Sequence, residues 1–169
     1  MIKKILLIML IAIPMGMTAQ TLKFGHFKSF DILKAMPEFT QSQNELTKAQ
    51  KTHEDEYKRI TSEYQKTLEE FVAAKDSLPA NISERRQKEL QDMGQKVQEY
   101  GNFAQQDLEQ LENKLMEPLT AKLNNAVKSV GDSEGMIYIF DLSRIPVAYV
   151  NDKQSTDITN AIKAKLGIK

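Results

Sequence analysis

Two residue types are missing from the chain, which has no cysteine and no tryptophan, and histidine occurs only twice. Without cysteine the protein has no disulfide, no thiolate zinc site, no thiolate nucleophile and no lipoprotein anchor. The histidines, His26 and His53, lack the spacing of a metal site or a catalytic triad. We interpret His53 as a histidine in a helix seam, beside a solvated run of charges. Since the glycines also form no phosphate-binding loop, we expect no enzyme activity, no metal and no cofactor.

Charge of one sign is not in excess. The 169 residues include 23 basic and 23 acidic ones, for a formal net charge of zero. A nucleic-acid partner is therefore not expected, because nucleic-acid binding depends on a basic surface. The helical segments also lack a basic amphipathic face, so peripheral contact with a membrane is only weakly supported.

The start of the chain has the layout of a secretory signal peptide. Two lysines precede an unbroken apolar run over 5–13, and the segment from Pro14 ends on a small residue, Ala19. We expect residues 1–19 to be cleaved off between Ala19 and Gln20, and the mature protein to be exported. An uncleaved membrane anchor is the alternative. It is disfavoured because the apolar run is shorter than the ~20 residues that span a bilayer.

Proline is nearly absent from the middle of the chain. Good helix formers dominate Glu38–Val130, and the break lies at Ser77–Asn81, where Pro79 cannot donate a helical hydrogen bond. We expect two long antiparallel helices, each about 55–70 Å long, joined at this turn. Asn81 is expected to cap the second helix, with Glu84 completing the capping box.

The two helices have different apolar repeats. The first has two seven-residue rows, which are Phe39, Leu46, His53 and Ile60, and Tyr57, Tyr64, Phe71 and Leu78. Gln43 and Gln50 occupy core-type positions near its start. The second has two eleven-residue rows, which are Met93, Ala104, Leu115 and Ala126, and Val97, Leu108, Leu119 and Val130. Because the repeats differ, we expect a loose, partly splayed hairpin, made more flexible by Gly94 and Gly101.

The two ends of the chain contain short strand and helix patterns. From the N-terminus we expect a strand over Thr21–Phe27, then a helix over Phe30–Met36 capped by Ser29. We expect the second long helix to be kinked at Pro118 and to end at Gly131, with Lys128 in its last turn. It is expected to be followed by a buried strand over Gly135–Asp141 and a second strand over Val147–Val150. A last helix is expected over Ile158–Leu166, closed by Gly167.

The predicted fold is mainly α with a small β body. A long antiparallel helical hairpin, the arm, covers 38–117 with its tip near 77–81. The body combines 20–37 with 118–169. Three strands and small helices make a thin body, which we expect other subunits to complete.

The order of these elements resembles the Skp/OmpH family of periplasmic outer-membrane-protein chaperones. The matching segments at the N-terminal end are Lys23-x-Gly25-x-Phe27, Ile32-Leu33 and Met36-Pro37-Glu38-Phe39. Those at the C-terminal end are Glu117-Pro118-Leu119, Ala126-Val127-Lys128-x-Val130, Gly135-x-x-Tyr138-Ile139-Phe140-Asp141, Tyr149-Val150 and Asp157-Ile158-Thr159. No single motif is diagnostic, but the ordered set covers nearly all of the mature chain.

The resemblance implies a periplasmic homotrimer in which strands of three chains form a body with three helical arms around a cavity. It implies an ATP-independent holdase that binds unfolded outer-membrane β-barrel proteins there and prevents their aggregation. The arm residues expected to contact such clients are Tyr57, Tyr64, Phe71, Leu78, Met93 and Tyr100. Ordinary packing between the two helices is the alternative for each of these six. The residues expected in the trimer body are Phe24, Phe27, Ile137, Ile139, Val147 and Tyr149.

Charge is the main departure from the family. Without residues 1–19 the chain has 21 basic and 23 acidic residues, so it is mildly acidic at about −2, whereas well-studied family members are strongly basic. Client capture is therefore expected to rest more on apolar contacts than on charge attraction. An alternative function is a structural coiled-coil spacer or adaptor in the cell envelope, whose arms dock one folded partner.

Overall fold

The computed structural model describes residues 22–168, so the predicted signal peptide lies outside the described residues. The predicted fold class is confirmed: a long helical hairpin extends from a base with a three-stranded sheet. In chain order the elements are β1 (Phe24–Phe27), α1 (Ser29–Ala35), α2 (Pro37–Ala74), a 3-10 turn (Lys75–Ser77), α3 (Ala80–Glu134), β2 (Tyr138–Asp141), β3 (Ser155–Asp157) and α4 (Thr159–Leu166).

The helices of the hairpin are 38 and 55 residues long, and α3 continues through Pro118. They are therefore about 57 and 82 Å long.

The cap predicted at Asn81 is wrong. Pro79 takes the N-cap position without a side-chain hydrogen bond, and its carbonyl accepts the Ser83 amide at 2.9 Å. Since Pro79 is pre-set in an extended conformation, the helix starts directly after it and Asn81 falls inside the first turn.

Contact between the helices extends along the hairpin, so the predicted splaying is wrong for the protomer. All eight residues of the eleven-residue rows in α3 are half-buried or buried. On α2, Gln43 and Gln50 are exposed, and Ser42 and Ala49 face the partner helix instead. Lower down, the contact row moves over to Tyr64, Phe71 and Leu78. Residues seven apart do not stay on one line along a straight α-helix, because each step of seven turns slightly backwards around the axis. Moving the contact row by one residue, from the row of Ser42 and Ala49 to that of Tyr64 and Phe71, brings it back to face α3.

The core lies in the base, where both ends of the chain meet. It joins α1, the last third of α3 and α4. Its buried residues are Phe27, Ile32, Leu33, Met36, Leu119, Leu123, Ala126, Val130, Ile158 and Ile162. Full burial of an aliphatic side chain contributes about 1.5–3 kcal/mol, so this cluster is the main source of stability.

The sheet has the order β2-β1-β3, with all pairs parallel. Phe24 pairs with Tyr138 on one side and with Ser155 on the other. The strand predicted at Val147–Val150 is wrong, because the edge of β1 is taken by Ser155–Asp157. The predicted buried strand at 135–141 is also shorter, and in the protomer its Tyr138 and Phe140 are exposed.

Two predicted helix ends, the start of α1 and the end of α3, are wrong. The side chain of Ser29 does not cap α1; its amide instead donates to Asp141 Oδ1 at 3.1 Å, so a carboxylate from β2 supplies the cap. Gly131 does not end α3, which continues to Glu134 and ends at Gly135 with φ of 65°. A Cβ at Gly131 would lie 2.8 Å from Ile139 Cδ1, so this glycine lets the sheet approach the helix closely.

Candidate functional site

Large apolar side chains are exposed in two places. Those on the arm are Tyr57, Leu68, Val72 and Phe103. Those on the base are Leu22, Phe30, Ile137, Tyr138, Phe140, Ile145, Val147 and Tyr149. Since clustered exposed apolar groups mark interaction surfaces, both regions are candidates for binding other chains. Within residues 22–168 there is no group of three or more histidine, aspartate or glutamate side chains that could hold a metal ion.

The six arm residues predicted to contact clients fall into two groups. Tyr57 is 44% exposed and lies at the edge of the helix contact. The other five are half-buried between α2 and α3, and these are Tyr64, Phe71, Leu78, Met93 and Tyr100. The geometry therefore gives these five a packing role, while their contact with clients stays a prediction.

Three exposed arm residues were not predicted as client contacts. They are Leu68, Val72, which is 65% exposed, and Phe103, which is 55% exposed. All three lie off the seven- and eleven-residue rows, so a search confined to the seam misses them. The signal was present in the sequence, because Leu68 and Val72 are one turn apart and follow Tyr64 on one side of α2.

His53 is the centre of a polar contact between the helices. Its Nδ1 lies 2.9 Å from the Tyr100 hydroxyl, and its Nε2 lies 3.0 Å from Asp107 Oδ2. Phe103 packs edge-on against the imidazole, with 5.9 Å between ring centroids. The side chain of His53 is half-buried in the seam, in agreement with the structural interpretation of this residue.

The pKa of Tyr100 is raised above its ordinary value. Burial is the main cause, and the negative charges of Glu56 and Asp107 add to it. The protonated phenol can donate to His53 Nδ1, and in the tautomer that accepts this bond His53 Nε2 carries the proton and donates to Asp107. This arrangement joins the two helices of the arm through their side chains.

Gly94 and Gly101 lie where tyrosine rings cross α3. A Cβ at Gly101 would be 3.5 Å from the Tyr57 ring, and one at Gly94 would be 3.7 Å from the Tyr64 ring. These are ordinary contact distances, so a methyl group would fit at both positions. The two glycines are seven residues apart, as are the two tyrosines, which gives the arm a repeated tyrosine-on-glycine contact.

On the base, one face of the sheet is largely uncovered. The Phe24 and Tyr138 rings stack with centroids 6.4 Å apart, and Tyr138 also packs against Phe140. A cavity of about 400 Å³ lies between this face and the segment containing Val147 and Tyr149. The cavity is open to solvent in the protomer, and its walls are mainly apolar.

The six residues predicted for the trimer body occupy different environments. Phe27 is buried in the protomer's own core, and Ile139 is half-buried against α3. Phe24 is half-buried under Tyr138. Ile137, Val147 and Tyr149 are exposed, Tyr149 to 77%, and are free to contact another chain.

Comparison with known proteins identifies related sequences and folds. The family model described as "Outer membrane protein (OmpH-like)" matches residues 23–166. The crystal structure of an OmpH-like protein from Caulobacter crescentus CB15, assigned as an outer membrane chaperone, superposes with a TM-score of 0.69 at 19% sequence identity. That alignment covers 86% of this chain and 83% of the other and shows that the fold is shared. No curated protein sequence matches the chain.

Proposed function

The chain belongs to the OmpH-like family, and from this premise we propose that it is an ATP-independent holdase chaperone of the periplasm. Its clients would be unfolded outer-membrane β-barrel proteins, which it keeps from aggregating. The observation that carries this proposal is an arm with exposed apolar side chains on a base that supplies nearly all of the buried core.

The mechanism we propose depends on many weak contacts. Tyr57, Leu68, Val72 and Phe103 are spread along the arm, so no single pocket defines one bound pose. Several arms that contact one chain together gain avidity, because each further contact becomes intramolecular. Flexible or poorly specified clients suit such a surface better than a folded partner does.

A homotrimer is part of the proposal. The uncovered sheet face and the exposed Ile137, Val147 and Tyr149 would be buried against other copies of the chain. An exposed apolar surface of this kind on a secreted protein favours association. Three arms around one axis would then enclose a cavity for the client.

The alternative is a spacer or adaptor that docks one folded partner. The continuous contact between α2 and α3 favours the adaptor, as do the hydrogen bonds of His53 to Tyr100 and Asp107, because they hold the two helices of the arm together as a rigid rod. An adaptor binds one folded partner saturably, whereas a holdase binds many unrelated unfolded β-barrel proteins.

Light scattering separates these two functions. A urea-unfolded outer-membrane β-barrel protein is diluted into buffer with and without this protein, and the protein's mass is measured by size exclusion with multi-angle scattering. The proposal predicts a trimer that suppresses aggregation at one trimer per client without nucleotide. A trimer that leaves aggregation unchanged contradicts the holdase and favours the adaptor.

A further inference from the structure

The two sides of the arm differ in charge. One side, which we name the uncharged flank, is defined by Tyr57, Tyr64, Leu68, Val72, Gly94 and Gly101. The tyrosine rings rest against the two glycines, so these parts of α2 and α3 share one side of the hairpin. Leu68 and Val72 follow Tyr64 at steps of four residues and therefore lie on the same side of α2.

Amide side chains extend the uncharged flank on α3. Gln91, Gln98 and Gln105 are seven residues apart and next to the glycine row, and all three are exposed. On α2, Gln65 lies between Thr61 and Leu68 in the same region. Glu54 and Lys58 precede these rows on α2, but from Thr61 to Val72, and from Gln91 to Gln105 on α3, the rows contain no charged residue, although 27% of the chain is charged.

The opposite side of the arm is densely charged. Glu56, Glu63 and Glu70 are seven residues apart, and Arg59 and Lys66 lie between them. Arg59 bonds to Glu56 at 2.7 Å and to Glu63 at 3.1 Å, and Lys66 lies 4.0 Å from Glu70. We name this side the charged flank. Phe103 is exposed on this side, but the carboxylates and cations around it already have partners, so an apolar chain that binds there would have to desolvate charges.

A polar atom on the uncharged flank lacks a partner. Thr61 Oγ1 is buried and makes no hydrogen bond within residues 22–168. Thr61 is one turn from Tyr57 and about two turns from Leu68, in the middle of the flank. This oxygen has almost no exposed surface, so a chain that lies on the flank does not reach it, and the flank offers its apolar and amide side chains instead.

We propose that the uncharged flank is the surface along which an unfolded β-barrel client lies in an extended conformation. This inference rests on the proposed function and names the surface that performs it. Strand segments of such clients have apolar side chains at alternate positions, and these match Leu68, Val72 and the tyrosine rings. Their backbone amides and carbonyls have no strand partner before folding. Glutamine offers both donors and acceptors, so Gln91, Gln98 and Gln105 can satisfy these groups without introducing charge.

The absence of cysteine makes a site-specific test direct. Val72→Cys places a single thiol on the uncharged flank, and Glu70→Cys places one on the charged flank. The two positions are two residues apart and therefore point to nearly opposite sides of the same helix. They are similarly exposed: Val72 to 65% and the side chain of Glu70 to 68%. Both proteins are labelled with a photoactivatable maleimide crosslinker and mixed with a urea-unfolded outer-membrane β-barrel protein.

Val72→Cys is expected to crosslink to the client several-fold more strongly than Glu70→Cys. Equal yields from both positions, or a higher yield from Glu70→Cys, would overturn the assignment of the flank. Crosslinking of the Val72→Cys arm to a second copy of the protein, unchanged when the client is added, would also overturn it, because the flank would then be an interface between copies. Wild-type suppression of aggregation, measured in parallel, separates a wrong flank from a wrong proposed function.

Charged substitutions test the same surface by affinity. Leu68→Glu with Val72→Glu would place carboxylates against apolar client groups, which predicts about a tenfold or greater loss of client affinity. The control, Glu63→Gln with Glu70→Gln, changes the net charge by the same magnitude with the opposite sign on the charged flank and is expected to leave affinity within about twofold. Circular dichroism confirms that the helices of both variants are intact. A larger loss in the control than in the Leu68 and Val72 variant would contradict the proposal.

Discussion

The base and the arm are built on different principles although α3 runs through both. In the base, aliphatic side chains from three segments are fully buried, and Ile32, Leu123 and Ile162 have almost no exposed surface. In the arm, most contact residues are only half-buried, and aromatic rings, glycines and the hydrogen bonds of His53 replace the aliphatic core. One continuous helix is thus anchored at one end by a buried core, while its other end has half-buried contacts and exposed apolar side chains available for binding.

The largest expected effect is in the base. Ile162→Ala removes a fully buried side chain between α4 and the core and is expected to destabilise the protein by roughly 2–5 kcal/mol. Leu90→Ala is the matched change in the arm, where Leu90 is buried near the tip. It should cost less, since the tip can relax or open without disturbing the base. Urea denaturation measures both, and equal losses would contradict the difference between the two regions.

Glycine-to-alanine changes should have opposite signs in the two regions. Gly131→Ala would place a methyl group 2.8 Å from the flexible end of the Ile139 side chain, which must move, and we expect a net destabilisation of the base by up to about 1 kcal/mol after the gain in helix propensity. Gly101→Ala has room beside the Tyr57 ring and is expected to stabilise the arm by up to about 1 kcal/mol. Thermal unfolding followed by circular dichroism tests the pair. A loss of stability in Gly101→Ala would contradict the presence of space for a methyl group beside the Tyr57 ring.

Loss of the hydrogen bonds made by His53 should affect the arm alone. His53→Leu removes hydrogen bonds to Tyr100 and Asp107 and is expected to weaken local helix contact by about 1 kcal/mol. Hydrogen exchange should become faster on both helices near these residues and stay unchanged in the base. Gln50→Ala, an exposed change one turn away, is the control and should leave exchange unaltered. Faster exchange in the base of His53→Leu would mean that arm and base are energetically coupled.

The smallest expected effect is a pH dependence of the base. Asp157 Oδ1 accepts the Thr159 amide at 2.9 Å at the start of α4. Burial tends to raise the pKa of Asp157, but this hydrogen bond and the charges of His26 and Lys28 outweigh it and hold the pKa below its ordinary value. A lowered folded-state pKa means that the carboxylate stabilises the fold above its unfolded-state pKa of about 3.9 and that this stabilisation is lost as pH falls through the folded-state value.

Asp157→Ala removes both the cap and this titration. Its stability curve should therefore lie below that of the wild type near neutral pH and converge toward it under acid conditions. Urea denaturation between pH 3 and 7 (the window set by the pKa of about 3.9) measures this difference. A gap between the two curves that stays constant with pH would show that Asp157 acts only by packing.

Long-range periodicity was the most predictable feature. The eleven-residue rows in α3 could be read directly, because Met93, Ala104, Leu115 and Ala126 are all half-buried or buried on one side of the helix. The contact row on α2 could not, since its register depends on that partner. Gln43 and Gln50 are therefore exposed although their positions fit a seven-residue row.

Features set by distant segments were not predictable from local pattern. Asp141 caps α1 across more than a hundred residues, so Ser29 was assigned a cap that the fold supplies from elsewhere. Val147–Val150 has strong strand propensity, yet the more polar Ser155–Asp157 pairs with β1 because it leads directly into α4. On the arm, the seam pattern drew attention to half-buried residues such as Tyr64, whereas the exposed Leu68 and Val72 lie beside it.

Hydrogen exchange of the full-length protein, with and without a urea-unfolded outer-membrane β-barrel client, tests the central claim most directly. We predict that base peptides around Ile32 and Leu123 are strongly protected in both states. Arm peptides covering 57–72 and 91–105 should exchange faster without client and become protected when it is bound. Protection that appears in the base while the arm stays unchanged would contradict the division of roles between the two regions.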